Sequence, residues 1–181
     1  NEPFGKREVS KELTSKRDAF SKHFRNENGT VSAHIASGPI HYFENGQWKT
    51  IYHTIEPSVT GGFQNVHNSF KTYFPATSNG EIITLLHDGT EIRDMLGMRM
   101  YYEVNEQEVG SMNIGNTPGS VDFNKLTYPA VYGPHIDLRL TQNSTQRKMD
   151  YLLQNASALN GAPQSAQYLV FEEQIILPQG I

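Results

Sequence analysis

The sequence predicts an all-β fold, an antiparallel β-sandwich or a related barrel built of hairpins with little helix. Three observations predict it. Four dipeptides, Asn28-Gly29, Asn45-Gly46, Asn79-Gly80 and Asp88-Gly89, punctuate the first half of the chain. A two-residue hairpin turn favours such pairs because its central residues need positive φ, which Asn, Asp and Gly tolerate. Several stretches alternate apolar and polar residues, the period of a half-buried strand. Strand signals also recur at short intervals with almost no helical periodicity between them, the pattern of a sandwich.

Composition limits what such a fold can be. The chain has 181 residues, enough for one domain or two small ones with a buried core. Only 36% of it is hydrophobic, but nine Phe, nine Tyr and one Trp supply large apolar areas, so the predicted core is aromatic-rich. A net charge of -4 with 15 Lys and Arg lacks the concentrated basic footprint of a nucleic-acid binder. Cysteine is absent, which removes disulfides, thiolate metal sites and a Cys nucleophile. No apolar run approaches the roughly 18 residues of a membrane span. The first residue is not Met and no signal-peptide core follows it, which predicts a mature or trimmed chain.

Residues 1–25 are highly charged and read as an arm or a short helix, with Phe20 and Phe24 four apart but Ser10, Thr14, Ser15 and Ser21 among them. From residue 26 to 181 the chain reads as a single β-rich domain, with a possible division into two layers near 105–120. Closing Asn45-Gly46 as a two-residue loop sets Glu44 opposite Gln47, Phe43 opposite Trp48 and Ile40 opposite Ile51. Met98, Met100, Tyr102 and Val104 alternate as one strand, after which residues 105–120, with three glycines and Pro118, read as a long connection. A second hairpin registers through a four-residue loop, Asn143 to Gln146. It sets Leu140 against Met149, Leu138 against Tyr151, and Arg139 against Asp150 on the other face. A loop over 155–167 precedes a last strand from Tyr168 to Leu177.

Two signatures carry a resemblance. Asn28-Gly29-Thr30, Ser37-Gly38-Pro39-Ile40, Tyr42 and Asn45-Gly46-Gln47-Trp48 resemble the amino-terminal region of large secreted bacterial proteins with repeat arrays, including wall-associated and RHS-like proteins. Tyr128-Pro129-Ala130-Val131-Tyr132, then Ile136-Asp137-Leu138-Arg139-Leu140 and the return strand with Asp150-Tyr151, is similar to the module preceding propeller-type repeats in surface proteins of Bacteroidetes-like bacteria. Gly133-Pro134-His135 departs from the simpler Pro-Gly of that pattern. The resemblance implies an exported, β-rich, non-catalytic structural or adhesive module at the bacterial cell surface, ahead of other domains of the same polypeptide. It implies no catalytic residue and no cofactor.

The residues themselves leave other readings open. Tyr42, Trp48, Tyr52, Tyr101 and Tyr102 on strands would form a platform for stacking sugar rings if they pointed outward together; Tyr73 is a further ring of this kind. That reading makes the chain a carbohydrate-binding sandwich, with a glycan or a surface protein as partner; an accessory domain of a secreted enzyme is a third class. His34 and His41 would face each other if Ser37-Gly38 closed a hairpin, with His53 on the next strand, a weak imidazole set for zinc or copper. Asp137, Asp150, Glu172 and Glu173 are the carboxylates a glycosidase pair would draw on. Pairing of Asp137 and Asp150 with Arg139 and Lys148 on a solvated face, and opposite orientations for Glu172 and Glu173, argue against that use. Asn28, Asn143 and Asn155 begin Asn-x-Ser/Thr triplets, short enough to arise by chance.

Overall fold

A computed structural model describes residues 11–178. The first described strands are β1 (Lys11–Glu12), β2 (Ser21–Arg25) and β3 (Val31–Ile35), a three-stranded antiparallel sheet. The expected arm or helix is instead two strands, Lys11–Glu12 and Ser21–Arg25, joined by a segment that holds a short 3-10 turn at Thr14–Lys16 and a bend before β2; residues 1–10 lie outside the described residues. The physical reason is local. Asp18 gathers the amides of Phe20 and Ser21 and the Ser21 hydroxyl onto its carboxylate, which turns the chain into β2. The helical spacing of Phe20 and Phe24 is then unused: Phe20 is exposed, and Phe24 packs on the His34 ring of the neighbouring strand at 4.8 Å.

The hairpin β4 (His41–Glu44) and β5 (Gln47–Thr50) follows. Its register is the predicted one, Phe43 against Trp48 and Glu44 against Gln47, and Ile51 donates its amide to the Ile40 carbonyl at 2.9 Å. Asn45 and Gly46 have φ of 52° and 77°, as a type I′ turn requires.

A seven-stranded sheet comprises β6 (Glu56–Pro57), β7 (Phe63–Asn65), β8 (Lys71–Phe74), β9 (Glu81–Leu85), β10 (Glu91–Val104) and β11 (Gln107–Asn113), with the last strand of the chain added to β10. Facing it is a four-stranded meander, β12 (Ser120–Asp122), β13 (Lys125–Tyr128), β14 (Ile136–Gln142) and β15 (Arg147–Leu153). The chain then returns through β16 (Tyr168–Ile176) to pair with β10. The fold is an antiparallel, sandwich-like all-β architecture with almost no helix.

Its core lies between the two larger sheets. Ile136, Leu138 and Leu140 alternate inward along β14, joined by Leu126 and Tyr128 of β13. From the opposing sheet come Phe74, Ile82, Leu96 and Met100. Burying each such leucine stabilises the fold by roughly 2 kcal/mol. Polar groups tie the layers as well: the Tyr128 hydroxyl donates to the Pro75 carbonyl at 2.6 Å, and Asn68 donates to the Asn143 carbonyl at 2.8 Å. The second predicted hairpin has its expected register throughout, Leu138 against Tyr151, Leu140 against Met149 and Arg139 against Asp150.

Two expectations need correction in this sheet. Residues 107–113 are not connection but strand β11, paired with β10. All seven are exposed, so no buried face imposes an apolar alternation, and main-chain bonding to β10 alone defines the strand. The alternation through Met98 also fails: Leu96 and Met100 are buried while Met98 is 42% exposed. Gly97, at φ 30°, lies where β10 exchanges β9 for β11 as neighbour, and the three residues between Met95 and Arg99 lie opposite one residue, Glu173, on β16. The bulge turns Met98 outward.

Candidate functional site

The β4–β5 hairpin projects no long loop, yet three surface depressions border it. On one side Tyr42, Phe43 and Glu44 line a cleft of about 220 Å³ with Lys71, Leu86 and His87. Glu44 accepts from Lys49 and Lys71, each at 2.7 Å, and these two hydrogen-bonded cations bring its carboxyl from 4.5 down to about 2. A depressed carboxyl stabilises the fold above its unfolded value, and that stability is lost as pH falls through the folded value. Glu44→Gln is therefore expected to flatten the acid limb of stability between about 4.5 and 2, as read by urea melts across that window.

At the hairpin tip Gln47 and Trp48 line a second cleft, of about 510 Å³, with Thr14, Ser15 and Arg17. The Arg17 guanidinium is fixed by Glu12 through two bonds, at 2.7 and 2.9 Å, and its remaining Nη1 reaches the Trp48 carbonyl at 3.4 Å. An indole beside two hydroxyls and a side-chain amide offers the mixed apolar and hydrogen-bonding surface that a sugar ring uses. The third depression runs along Ile40, Thr50 and Ile51.

The five rings do not form one platform. Tyr42 is 6% exposed and Tyr102 is 5% exposed, so both serve the core, as a thin aliphatic supply demands. Trp48 meets Phe43 edge-on at 5.2 Å, Tyr52 is exposed with its ring edge-on to His67, and Tyr101 lies on β10 under the Arg99 guanidinium at 5.2 Å. Tyr101 and Tyr102 belong to the large sheet, whereas Tyr42 and Trp48 belong to the hairpin.

The imidazole set is also not assembled. Ser37-Gly38 closes no hairpin: β3 pairs with β2, which sets His34 opposite Lys22, while β4 pairs with β5, which sets His41 opposite Thr50. Ile40 and His41 instead donate their amides to the Ala19 carbonyl. His41 is 2% exposed with its Nδ1 at 2.7 Å from the Asp18 carbonyl, whereas His34 and His53 line the third depression. Among the described residues no group of three His, Asp or Glu side chains is placed to hold a metal ion.

The carboxylates have separate structural partners. Asp150 pairs with Lys148 at 2.8 Å, as expected. Asp137 does not pair with Arg139; it accepts from the Ala130 amide at 2.9 Å and from Gln154 at 2.7 Å, closing the turn before β14. Glu172 pairs with Arg99, and Glu173 accepts from the Tyr151 hydroxyl at 3.1 Å.

That last contact belongs to a cluster that local patterns could not reveal. Tyr151 stacks flat on Phe171 at 4.0 Å, and Tyr132 packs against both at 6.0 and 5.8 Å. Burial pushes the Tyr132 hydroxyl up to about 12 and raises Glu173. The members come from the turn before β14, from β15 and from β16, so no sequence spacing links them. Gly97 is the signal that was available, since a Cβ there would lie 2.7 Å from the Tyr132 hydroxyl and 2.8 Å from that of Tyr151.

No known family model, curated protein or solved structure matches this chain.

Proposed function

We propose that this chain is a non-catalytic structural or adhesive module of a larger exported bacterial surface protein, working by presenting sheet edges to other domains of the same polypeptide or to a surface partner. One observation carries the reading. Among the described residues both β11 and β16 pair with β10 alone, which leaves each with an unpaired edge, and β16 ends in the exposed Ile175 and Ile176, followed by the exposed Leu177. Such an edge pairs readily with another strand unless something covers it. The exported setting rests on the resemblance of the two signatures.

Hydrogen exchange tests the reading. In a longer polypeptide that includes the adjoining domains, the edge amides of residues 168–176 are expected to exchange at least tenfold more slowly than in the chain alone, a ratio equal to about 1.4 kcal/mol of protection. Equal exchange in both would remove this reading. A second reading, carbohydrate binding, draws on the Trp48 cleft with its hydroxyl and amide neighbours. Its outcome is neutral-glycan binding that Trp48→Ala abolishes.

A further inference from the structure

We infer that the third depression beside the hairpin is a binding groove for an anionic glycan, a polysaccharide bearing carboxylate or sulfate groups. The groove, of about 650 Å³, lies between the three-stranded sheet, the end of β5 and the β14–β15 loop. Lys22 and His34 are directly opposed across β2 and β3, which places both on one sheet face, and His53 and Ser144 close the groove from the other side. No Asp or Glu lines it among the described residues. Among the described residues Lys22 makes no ion pair.

The main chain adds donors. Ala36 and Ile40 spend their amides on the Phe20 and Ala19 carbonyls, but the Ser37 and Gly38 amides between them bond to no protein group among the described residues. An added Cβ at Gly38 would meet nothing within 4 Å, so the backbone there is open to a ligand. An ammonium, two imidazoles, two amides and a hydroxyl thus line one groove that holds no carboxylate among the described residues, a donor set suited to an oxyanion.

The rest of the groove selects a glycan. Pro39, Ile40 and Ile51 give it an apolar lining, and Thr50 adds a further hydroxyl, the combination that receives the C–H face and hydroxyls of a sugar. A nucleic acid needs a basic stripe that follows its backbone, which 15 Lys and Arg against 19 Asp and Glu do not supply, whereas a sugar acid or sugar sulfate needs only this local cluster beside an apolar lining. The inference goes beyond the module reading and uses neither β16 nor Trp48, so either can fail without the other.

Calorimetric titration of the chain with polygalacturonate, dextran sulfate, neutral dextran and sodium sulfate tests it. Polygalacturonate or dextran sulfate is expected to bind, and neutral dextran is not. Lys22→Glu and His34→Glu should each weaken binding about tenfold or more, with Lys22→Gln giving a smaller loss. Lys148→Glu, on β15 and outside the groove lining, should leave binding unchanged, and unchanged melting temperatures establish that the variants fold. Absence of binding to both anionic polymers, equal binding by Lys22→Glu, binding to neutral dextran as tight as to the anionic polymers, or binding of sodium sulfate alone would each overturn the proposal.

Discussion

Gly62→Ala is expected to destabilise the fold by roughly 2–4 kcal/mol, although it adds a single methyl group. Gly62 closes the turn between β6 and β7 at φ 72°, where its carbonyl accepts the Ser58 amide at 3.0 Å. A left-handed alanine alone costs about 1 kcal/mol. The larger part comes from contact, because the new Cβ would collide with the Phe74 carbonyl oxygen and lie 3.0 Å from the Ala76 nitrogen. Both are main-chain atoms of the neighbouring strand and its exit, so no rotamer change relieves them. Moving that backbone would pull Phe63 from its place opposite Phe74, and both rings contribute to the core. Gly89→Ala is the control: its φ is 87°, but an added Cβ meets nothing within 4 Å. Urea melts should separate the two by at least about 1 kcal/mol. Equal losses would show that strain in φ, and not the neighbouring backbone, sets the requirement for glycine.

Features fixed by neighbours in sequence were legible. Asn45-Gly46 carries its own turn geometry, and once the loop is two residues long the pairing of Phe43 with Trp48 is determined. The β14–β15 register follows in the same way, because a one-residue slip would turn Leu138 and Leu140 away from the core. The same dipeptide chemistry misleads where the loop is longer. At Asn28-Gly29 and Asp88-Gly89 only the glycine takes positive φ, in a loop closed by the next Thr, and at Asn79-Gly80 neither residue does.

What could not be read depends on partners remote in sequence. β11 and β16 both rest on β10, and β16 pairs with residues about seventy positions earlier. An exposed strand such as β11 carries no apolar period, so only its partner identifies it. Functional residues suffered the same way. The composition implied that most rings are core, and Tyr42, Tyr102, Tyr128 and Tyr132 are buried, but which ring faces outward depended on register and on the Gly97 bulge. The Lys22–His34 pairing required knowing that residues 21–25 are strand, where local composition suggested an arm or a helix.

Arg147→Ala is expected to destabilise the fold by on the order of 3 kcal/mol, since it leaves a partly buried carboxylate without its counter-charge. Arg147 reaches from β15 across to the other sheet, donating to Asp94 on β10 and, at 2.9 Å, to the Thr84 hydroxyl on β9. The side chains of the pair are only 16% and 11% exposed, so water compensates little of the loss. Replacing both partners, as Arg147→Met with Asp94→Leu, removes the stranded charge and should recover most of the stability. The loss should also depend on pH through Glu173. Burial raises that carboxyl, Asp94 raises it further, and Arg147 opposes both. A raised carboxyl contributes stability below its unfolded value, and this contribution is lost as pH rises through the folded value. Removing Arg147 pushes Glu173 higher still, so Arg147→Ala should lose more at pH 7 than at pH 4. Urea melts of the single and double variants at both pH values check this. An equal deficit at both would mean that Arg147 acts through its hydrogen bonds to Thr84 and Asp94 and not through its charge on Glu173.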